Sequence, residues 1–336
     1  MAKEMRSSPS ASGAFLRLVV PALVAPLLLN SCAVVGEPPA GPPPPESRFV
    51  RHEIPIAGTD RSYPVWRTRA AGRPVLFLHA LNGLSPDLLK FALELEQWGY
   101  RVYLPSLYGD PIGDESAFGY DKELSSIPLL RESGTWNPIS TESTGPIIED
   151  AAAMARWVSR REGGQSLAVI GNSITGGFPL ALLDEPCVGL AVLGQPALPV
   201  RRLGEVLLRV PQGEKKRRSL TVTEDKWASI VSALRKSPGK RLVGFHYLQD
   251  PMGAIERFDE LHERLAGQGL AARFTAYVMV PLDSRDAVER RDWIVSEETG
   301  ERRTMTTPHS TFLDAENELD RAWFRARLRE ALARPW

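Results

Sequence analysis

The stretch Ala168-Val169-Ile170-Gly171-Asn172-Ser173-Ile174-Thr175-Gly176-Gly177-Phe178 has the pattern of a buried strand, a tight turn and the start of a helix. A serine in such a turn is presented at the carboxyl end of its strand, where a nucleophile is expected. The general pattern G-x-S-x-G places a second glycine two residues after the serine, but Thr175 stands there and the glycines follow. A glycine-rich turn that binds phosphate, or binds nothing, remains the alternative at this point.

Apolar strands and amphipathic helices alternate on both sides of this stretch. We predict strands at Arg73–His79, Arg101–Leu104, Gln165–Gly171, Val188–Leu193, Leu242–Leu248 and Phe274–Val280. We predict helices from Ser85 to Gly99 and at Ile147–Arg160, Thr223–Leu234, Ala254–Ala266 and Asp314–Leu332. Continuously apolar strands suit a parallel sheet that is covered on both faces. The alternation therefore predicts one doubly wound α/β domain with right-handed crossovers.

A serine nucleophile needs a base, and the base needs an orienting carboxylate. Asp250 follows a predicted strand, although an aspartate there could also cap the next helix. His309 lies between the last predicted strand and the last helix, whereas His246 falls inside an apolar strand and His262 in a charged helix. We therefore expect His246 to be a core residue and His262 a surface residue. Ser173, Asp250 and His309 occur in the order nucleophile, acid, histidine that is typical of α/β hydrolases.

Four motifs carry a resemblance to a known family. They are Phe77 to Leu84 with Trp98 to Gly109, then Gly171 to Gly177, then Asp250-Pro251 with Glu256-Arg257-Phe258, and finally Pro308-His309-Ser310. On these motifs the chain resembles the dienelactone hydrolase family of α/β hydrolases over most of residues 70–330. Some members of that family have G-x-C-x-T-G-G at the turn, which accounts for Thr175.

The resemblance implies an α/β-hydrolase fold and a Ser-His-Asp triad. Ser173 would be the nucleophile, His309 the general base and later acid, and Asp250 its orienting partner. The backbone N–H groups of Ile174 and Leu81 would form the oxyanion hole. The implied enzyme needs no cofactor and no metal, and it cleaves a carboxylic ester or lactone through an acyl-enzyme.

The chain departs from the family at three places. Members often carry cysteine at the turn, glutamate after the loop histidine and, in the prototype, an arginine shortly after the catalytic histidine. Here these places hold Ser173, Ala80 and the run Thr311 to Leu313. A neutral or apolar ester is therefore the expected small-molecule substrate. A thioesterase or acyltransferase, and a non-catalytic binding lipoprotein of the cell envelope, remain as alternatives.

The first residues resemble an export signal. A basic start precedes an apolar run from Leu18 to Leu29, about twelve residues against the ~20 that span a bilayer. Leu29-Asn30-Ser31-Cys32 resembles a bacterial lipobox, which implies cleavage before Cys32 and lipid attachment to its thiol. An ordinary signal peptide that ends near a cysteine is the alternative. We thus divide the chain into a signal at 1–31, a lipidated cysteine and proline-rich linker at 32–47, and the hydrolase domain at 48–336.

Composition excludes several classes of protein. The chain is 43% hydrophobic and 24% charged, which is typical of a folded protein. Its 41 basic and 41 acidic residues leave no excess of positive charge for nucleic acid. Ala33 after Cys32, instead of the aspartate that retains lipoproteins at the inner membrane, implies anchoring in the outer membrane. Cys187 precedes an apolar strand and is predicted to be a buried hydrophobic residue.

Overall fold

A computed structural model describes residues 46–81, 83–107, 134–200, 212–248, 250, 252–280, 288, 291–298, 311–313 and 318–336. The predicted signal, Cys32 and His309 lie outside the described residues, as does the stretch 108–133. The described part forms one nine-stranded sheet with helices on both faces.

The sheet has the strand order β1-β2-β4-β3-β5-β6-β7-β8-β9, in which the strands are numbered along the chain. They are β1 Phe49–Pro55, β2 Ser62–Thr68, β3 Arg73–Leu78, β4 Tyr100–Pro105, β5 Leu167–Asn172, β6 Val188–Gly194, β7 Arg241–Tyr247, β8 Phe274–Val280 and β9 Ile294–Glu298. Strand β2 pairs antiparallel with β1 and β4, and all later neighbours are parallel. The predicted doubly wound, mostly parallel sheet is confirmed.

The α-helices of the described part connect the parallel strands. They are α1 Pro86–Gln97, α2 Ile147–Arg161, α3 Phe178–Ala181, α4 Glu214–Arg218, α5 Glu224–Lys236, α6 Glu256–Ala266 and α7 Glu318–Ala333. One apolar core joins α1 and α7 to one face of the sheet, and another joins α2, α5 and α6 to the opposite face. Strands β5 and β6 are buried along their whole length, because both of their faces are covered.

Helix α1 begins and ends where the sequence predicts. The Ser85 hydroxyl caps it by accepting from the Leu88 N–H at 3.3 Å, and Pro86 occupies the first turn. Gly99 follows with φ +92°, a left-handed conformation that glycine adopts without strain. The chain can therefore turn directly from the helix into β4.

Two ion pairs hold helix α2 to the sheet. Asp150, buried in its first turn, accepts from both Nε and Nη2 of Arg61 at 2.8 Å and from the Tyr63 hydroxyl at 2.7 Å. Glu162, after its last turn, accepts from Arg101 of β4 at 2.9 Å and from Tyr103. Each pair keeps one end of the helix in register with the strands below it.

Some expectations need correction. The basic run Lys215 to Arg218, which the predicted helices do not include, forms helix α4, in which Arg217 pairs with Glu256 and Arg218 with Glu260 of α6. The antiparallel pair β1–β2 was not predicted. Within the described part of the chain, no helix combines the length and the apolar character needed to cross a bilayer.

Candidate active site

Ser173 lies in a strained turn directly after the central strand β5. Its φ is +58°, a left-handed value that is costly for a residue with a Cβ. The one-turn helix Ser173–Thr175 follows, and then α3. Such strain persists only where the surroundings impose it, and it commonly marks a functional position. The predicted strand, turn and helix are therefore present, with the serine at the turn.

Two glycines make this turn possible, because the backbone packs too closely for side chains. A Cβ added at Gly171 would lie 2.1 Å from the Thr175 carbonyl oxygen. One added at Gly176 would lie 2.4 Å from the Gly194 carbonyl oxygen of β6. We call residues 171–177 the elbow. Its glycines let β5, the turn and the end of β6 touch backbone to backbone.

Thr175 stands where the general pattern has its second glycine, and its hydroxyl connects the elbow to the end of the neighbouring strand β3. Its Oγ1 accepts from the Asn172 N–H at 3.0 Å. The same oxygen lies 2.9 Å from the carbonyl oxygen of Leu78 and 3.0 Å from that of His79. The elbow and the loop after β3, which carries Leu81, are thus held together.

His79 fixes that loop from the other side. The fully buried imidazole accepts from the Leu107 N–H through Nε2 at 2.9 Å, and Nδ1 contacts the Ala80 carbonyl at 2.6 Å. Burial lowers the pKa of His79 to about 4, against a smaller opposing effect of the Ala80 carbonyl. The ring is therefore neutral at pH 7 and ties the ends of β3 and β4 together. Gly83, with φ +70°, closes the turn by donating to Ala80.

Asp250 lies beyond the end of β7, on the same edge of the sheet as Ser173. The residue is 8% exposed. Oδ1 accepts from the Met252 N–H at 2.8 Å, and Oδ2 accepts from the Gln195 amide at 3.0 Å. Asp250 does not serve as the side-chain cap of α6, since that helix begins without a side-chain cap bond. The alternative interpretation of Asp250 as a helix cap is thus wrong.

The sequence analysis missed Gln195 at this edge, and it quoted Arg257 in a motif without giving it a role. Gln195 follows β6 and contacts Asp250, and Arg257 of α6 donates to the carbonyls of Pro196 and Pro199. We call residues 194–199 the bridge loop, because the Ala197 N–H also donates to the Ser173 carbonyl at 3.0 Å. Asp250 was chosen because it follows a strand, and ligand sites of parallel sheets lie at the carboxyl ends of the strands. Gln195 follows β6 in the same way and could have been chosen on the same ground.

The structure also locates the two predicted oxyanion-hole residues and the two histidines that were assigned no catalytic role. Ile174 is the second residue of the one-turn helix, where backbone N–H groups lack intrahelical partners, and Leu81 lies in the loop fastened to the elbow. His246 is fully buried, as predicted. His262 is half-buried and stacks on Trp293 at 4.7 Å between ring centroids, so it is less exposed than predicted.

The strand order and the serine elbow between β5 and α3 define the α/β-hydrolase fold. Among the described residues, no group of three or more histidine, cysteine, aspartate or glutamate side chains is placed to hold a metal ion.

Comparison with known proteins gives structural neighbours only. No family model and no curated protein matches the chain. A dienelactone hydrolase-like protein from Klebsiella pneumoniae has 14% identity and a TM-score of 0.48, covering 85% of this chain and 99% of its own. An esterase from Pyrococcus furiosus has 15% identity and a TM-score of 0.49, covering 89% and 99%. A dienelactone hydrolase-like promiscuous phosphotriesterase from metagenomic libraries has 10% identity and a TM-score of 0.47, covering 85% and 98%.

The packing of the elbow predicts that alanine substitution at two adjacent glycines has very different effects on stability. Gly176→Ala should lower the free energy of unfolding by roughly 2–3 kcal/mol, because its Cβ meets backbone that cannot withdraw. Gly177→Ala is the matched control: a Cβ there meets nothing nearer than Thr221 Oγ1 at 3.7 Å, so the change should stay within about 0.5 kcal/mol. Urea unfolding measures both, and equal effects would contradict the close packing.

The neutral state of His79 predicts a pH dependence of stability. The pKa is about 4 in the folded protein against an ordinary value of 6.5, so the unfolded chain binds the proton more tightly. The contribution of neutral His79 to the free energy of unfolding is therefore complete above pH 6.5. It falls, by up to about 3 kcal/mol, as the pH drops from 6.5 to about 4. His79→Gln can still accept from Leu107 but binds no proton, so its unfolding free energy should fall less over this range. Parallel curves for the two proteins would refute the assignment.

Proposed function

We propose that the chain is a serine hydrolase that cleaves carboxylic ester or lactone bonds through an acyl-enzyme. The observation that carries this proposal is the geometry of the elbow. Ser173 occupies a strained position directly after β5, and the bridge loop contacts both its carbonyl and the Asp250 carboxylate. A strained serine and a buried, hydrogen-bonded carboxylate that contact the same loop are costly for a protein that uses neither group.

His309 is the proposed base, and the residues after it support this role. Phe312 is fully buried; it packs on Phe245 at 4.9 Å between ring centroids, and Arg325 donates to its carbonyl at 2.9 Å. A Cβ on Gly194, beside the elbow, would lie 2.9 Å from the Phe312 ring. Only three residues of chain, about 11 Å at full extension, separate this anchor from position 309 in the sequence, which supports the proposed role of His309.

In the proposed reaction, the Ser173 oxygen attacks the ester carbonyl while His309 takes the hydroxyl proton. The N–H groups of Ile174 and Leu81 stabilise the tetrahedral oxyanion, and one such donor contributes about 2.7–4 kcal/mol. The intermediate then releases the alcohol, which receives the proton from His309. Water activated by the same histidine hydrolyses the acyl-serine. Asp250 orients the imidazole and stabilises its protonated form.

A neutral or apolar ester is the proposed substrate. The described residues that follow His309 are Thr311, Phe312 and Leu313, which are uncharged and buried. Arg257 is also buried, and it donates to carbonyls of the bridge loop. An anionic substrate would need a cation that these residues do not offer.

The nucleophile is tested by labelling with a fluorophosphonate probe, which reacts with activated serines. We expect the wild type to be labelled and Ser173→Ala to be inert. With p-nitrophenyl acetate and butyrate, kcat/KM should fall by about 10⁴–10⁶-fold in Ser173→Ala and His309→Ala. Ser166→Ala, a substitution at a serine near the start of β5, is the control that keeps wild-type labelling.

Labelling that persists in Ser173→Ala would refute the nucleophile. A folded wild type that neither reacts with the probe nor hydrolyses esters would instead favour a non-catalytic binding protein. Preference for acyl thioesters over oxygen esters of the same chain length would favour a thioesterase.

We also propose that the mature protein is lipid-anchored in the bacterial envelope through Cys32, in the outer membrane where one exists. The lipobox-like sequence before Cys32 and the proline-rich linker support this proposal. Cys32→Ser should abolish metabolic labelling with an alkyne fatty acid and move the protein from the membrane pellet to the soluble fraction. Cys187→Ser is the matched control, with no effect on either. Unchanged labelling and sedimentation of Cys32→Ser would exclude the anchor.

A further inference from the structure

The bridge loop connects the two chemically important ends of the candidate site. On one side the Ala197 N–H donates to the Ser173 carbonyl at 3.0 Å. On the other side the Gln195 amide donates to Asp250 Oδ2 at 3.0 Å. The loop is itself held down by Arg257, which donates to the Pro196 and Pro199 carbonyls. A single loop thus fixes the distance between the serine turn and the carboxylate.

Gln195 is held in an unusual conformation at the start of this loop. Its φ is +42°, although it is not a glycine, and its side chain is fully buried. Its backbone N–H donates to the Phe245 carbonyl of β7 at 2.9 Å. Strain of this kind is maintained only when several contacts impose it. Here it brings the amide of the residue that follows β6 to the carboxylate that follows β7.

The contacts of Asp250 leave its carboxylate little freedom to rotate. One oxygen accepts from the Met252 N–H at 2.8 Å, and the other accepts from Gln195. The Met252 N–H constrains one oxygen and the Gln195 amide the other, so together they set the plane of the group. An amide supplies that donor without a charge, and the carboxylate keeps its negative charge for an imidazolium ion.

We propose that Gln195 is a positioning residue, which fixes the Asp250 carboxylate in the orientation that the catalytic histidine requires. This inference rests on the proposed serine hydrolase mechanism. On this proposal Gln195 acts through Asp250. Loss of its amide should therefore impair the chemical step while substrate binding is retained.

Two further ionisable groups border Asp250 and must be considered in any pH experiment. A Cβ on Gly253 would lie 2.7 Å from Asp250 Oδ2 and 3.1 Å from His246 Nε2, so this buried histidine adjoins the same space. Burial lowers the pKa of Arg257 to about 10, although the charge of Asp250 opposes the shift, so the guanidinium stays charged at neutral pH. Both groups are unchanged in the variants below, and comparison with the wild type cancels their contribution.

Gln195→Met and Gln195→Glu test the proposal in the full-length protein with p-nitrophenyl butyrate. In Gln195→Met, which keeps the volume but removes the donor, kcat should fall about 10- to 100-fold with KM changed less than about twofold. Gln165→Met, at an exposed position, is the matched control and should keep wild-type kinetics. Wild-type kcat in Gln195→Met would overturn the proposal.

Gln195→Glu adds a readout that a purely structural role would not give. A protonated glutamate can donate to Asp250 as the amide does, whereas an ionised one repels it, and paired carboxylates retain one proton to an unusually high pH. The ratio of its kcat to that of the wild type at the same pH should therefore be near one at about pH 6 and fall at higher pH. A pH profile parallel to that of the wild type would overturn the proposal.

Labelling by the fluorophosphonate probe distinguishes failure of the proposed hydrolase function from failure of the proposed role of Gln195. An unlabelled and inactive wild type sinks the proposed function itself. A labelled, active wild type whose Gln195 variants match it in kcat and pH profile sinks only the role of Gln195. If Gln195→Met does not fold, as judged by circular dichroism, Gln195→Glu still decides, because its two protonation states are compared within one folded protein.

Discussion

The close approach of backbone between β5, the elbow and β6 is the constraint on which the site depends. Gly171 and Gly176 leave no room for a Cβ, and their contacts with Thr175 and Gly194 force the intervening Ser173 into a left-handed conformation. The strain is local, but the stabilisation comes from the fully buried strands on either side. A site built in this way is preorganised, because the backbone position of the serine is set by the sheet.

Buried polar groups extend this order to the neighbouring loops. Thr175 joins the elbow to the end of β3, His79 joins the end of β3 to β4, and Gln195 joins the end of β6 to Asp250. All three side chains are fully buried, and each makes hydrogen bonds that would be costly to lose. The ion pairs of Asp150 and Glu162 serve a different purpose, since they hold helix α2 to the sheet.

The interior of the fold was predictable from the sequence because its strands are continuously apolar. Strand β8 has the predicted bounds, and β5 and β7 differ from the prediction by one or two residues at each end. The β1–β2 pair was missed because the two buried residues of β1, Phe49 and Ile54, are separated by the polar run Arg51-His52-Glu53, so the strand has no continuous apolar pattern. The turn at Ser173 was predictable from the spacing of its glycines. Gln195 belongs to no periodic pattern, and its contact with Asp250 is seen only in the folded structure. The role of His309 stays a prediction.

The loop after β3 gives a reason for the serine of the elbow, at a position where members of the family that the chain resembles often have cysteine. Where many members of the resembling family have a glutamate, this chain has Ala80, whose carbonyl contacts the buried His79 ring. The loop is therefore fixed by neutral hydrogen bonds, and on the proposed mechanism it contributes a backbone N–H, that of Leu81, and no carboxylate. A hydroxyl is far less acidic than a thiol, and it needs a base at the moment of attack more than a second charge beside it. On the proposed mechanism, catalysis therefore depends on the orientation of the histidine more than on a charged residue in the β3 loop. The contacts that fix Asp250 then become the part of the site most sensitive to change.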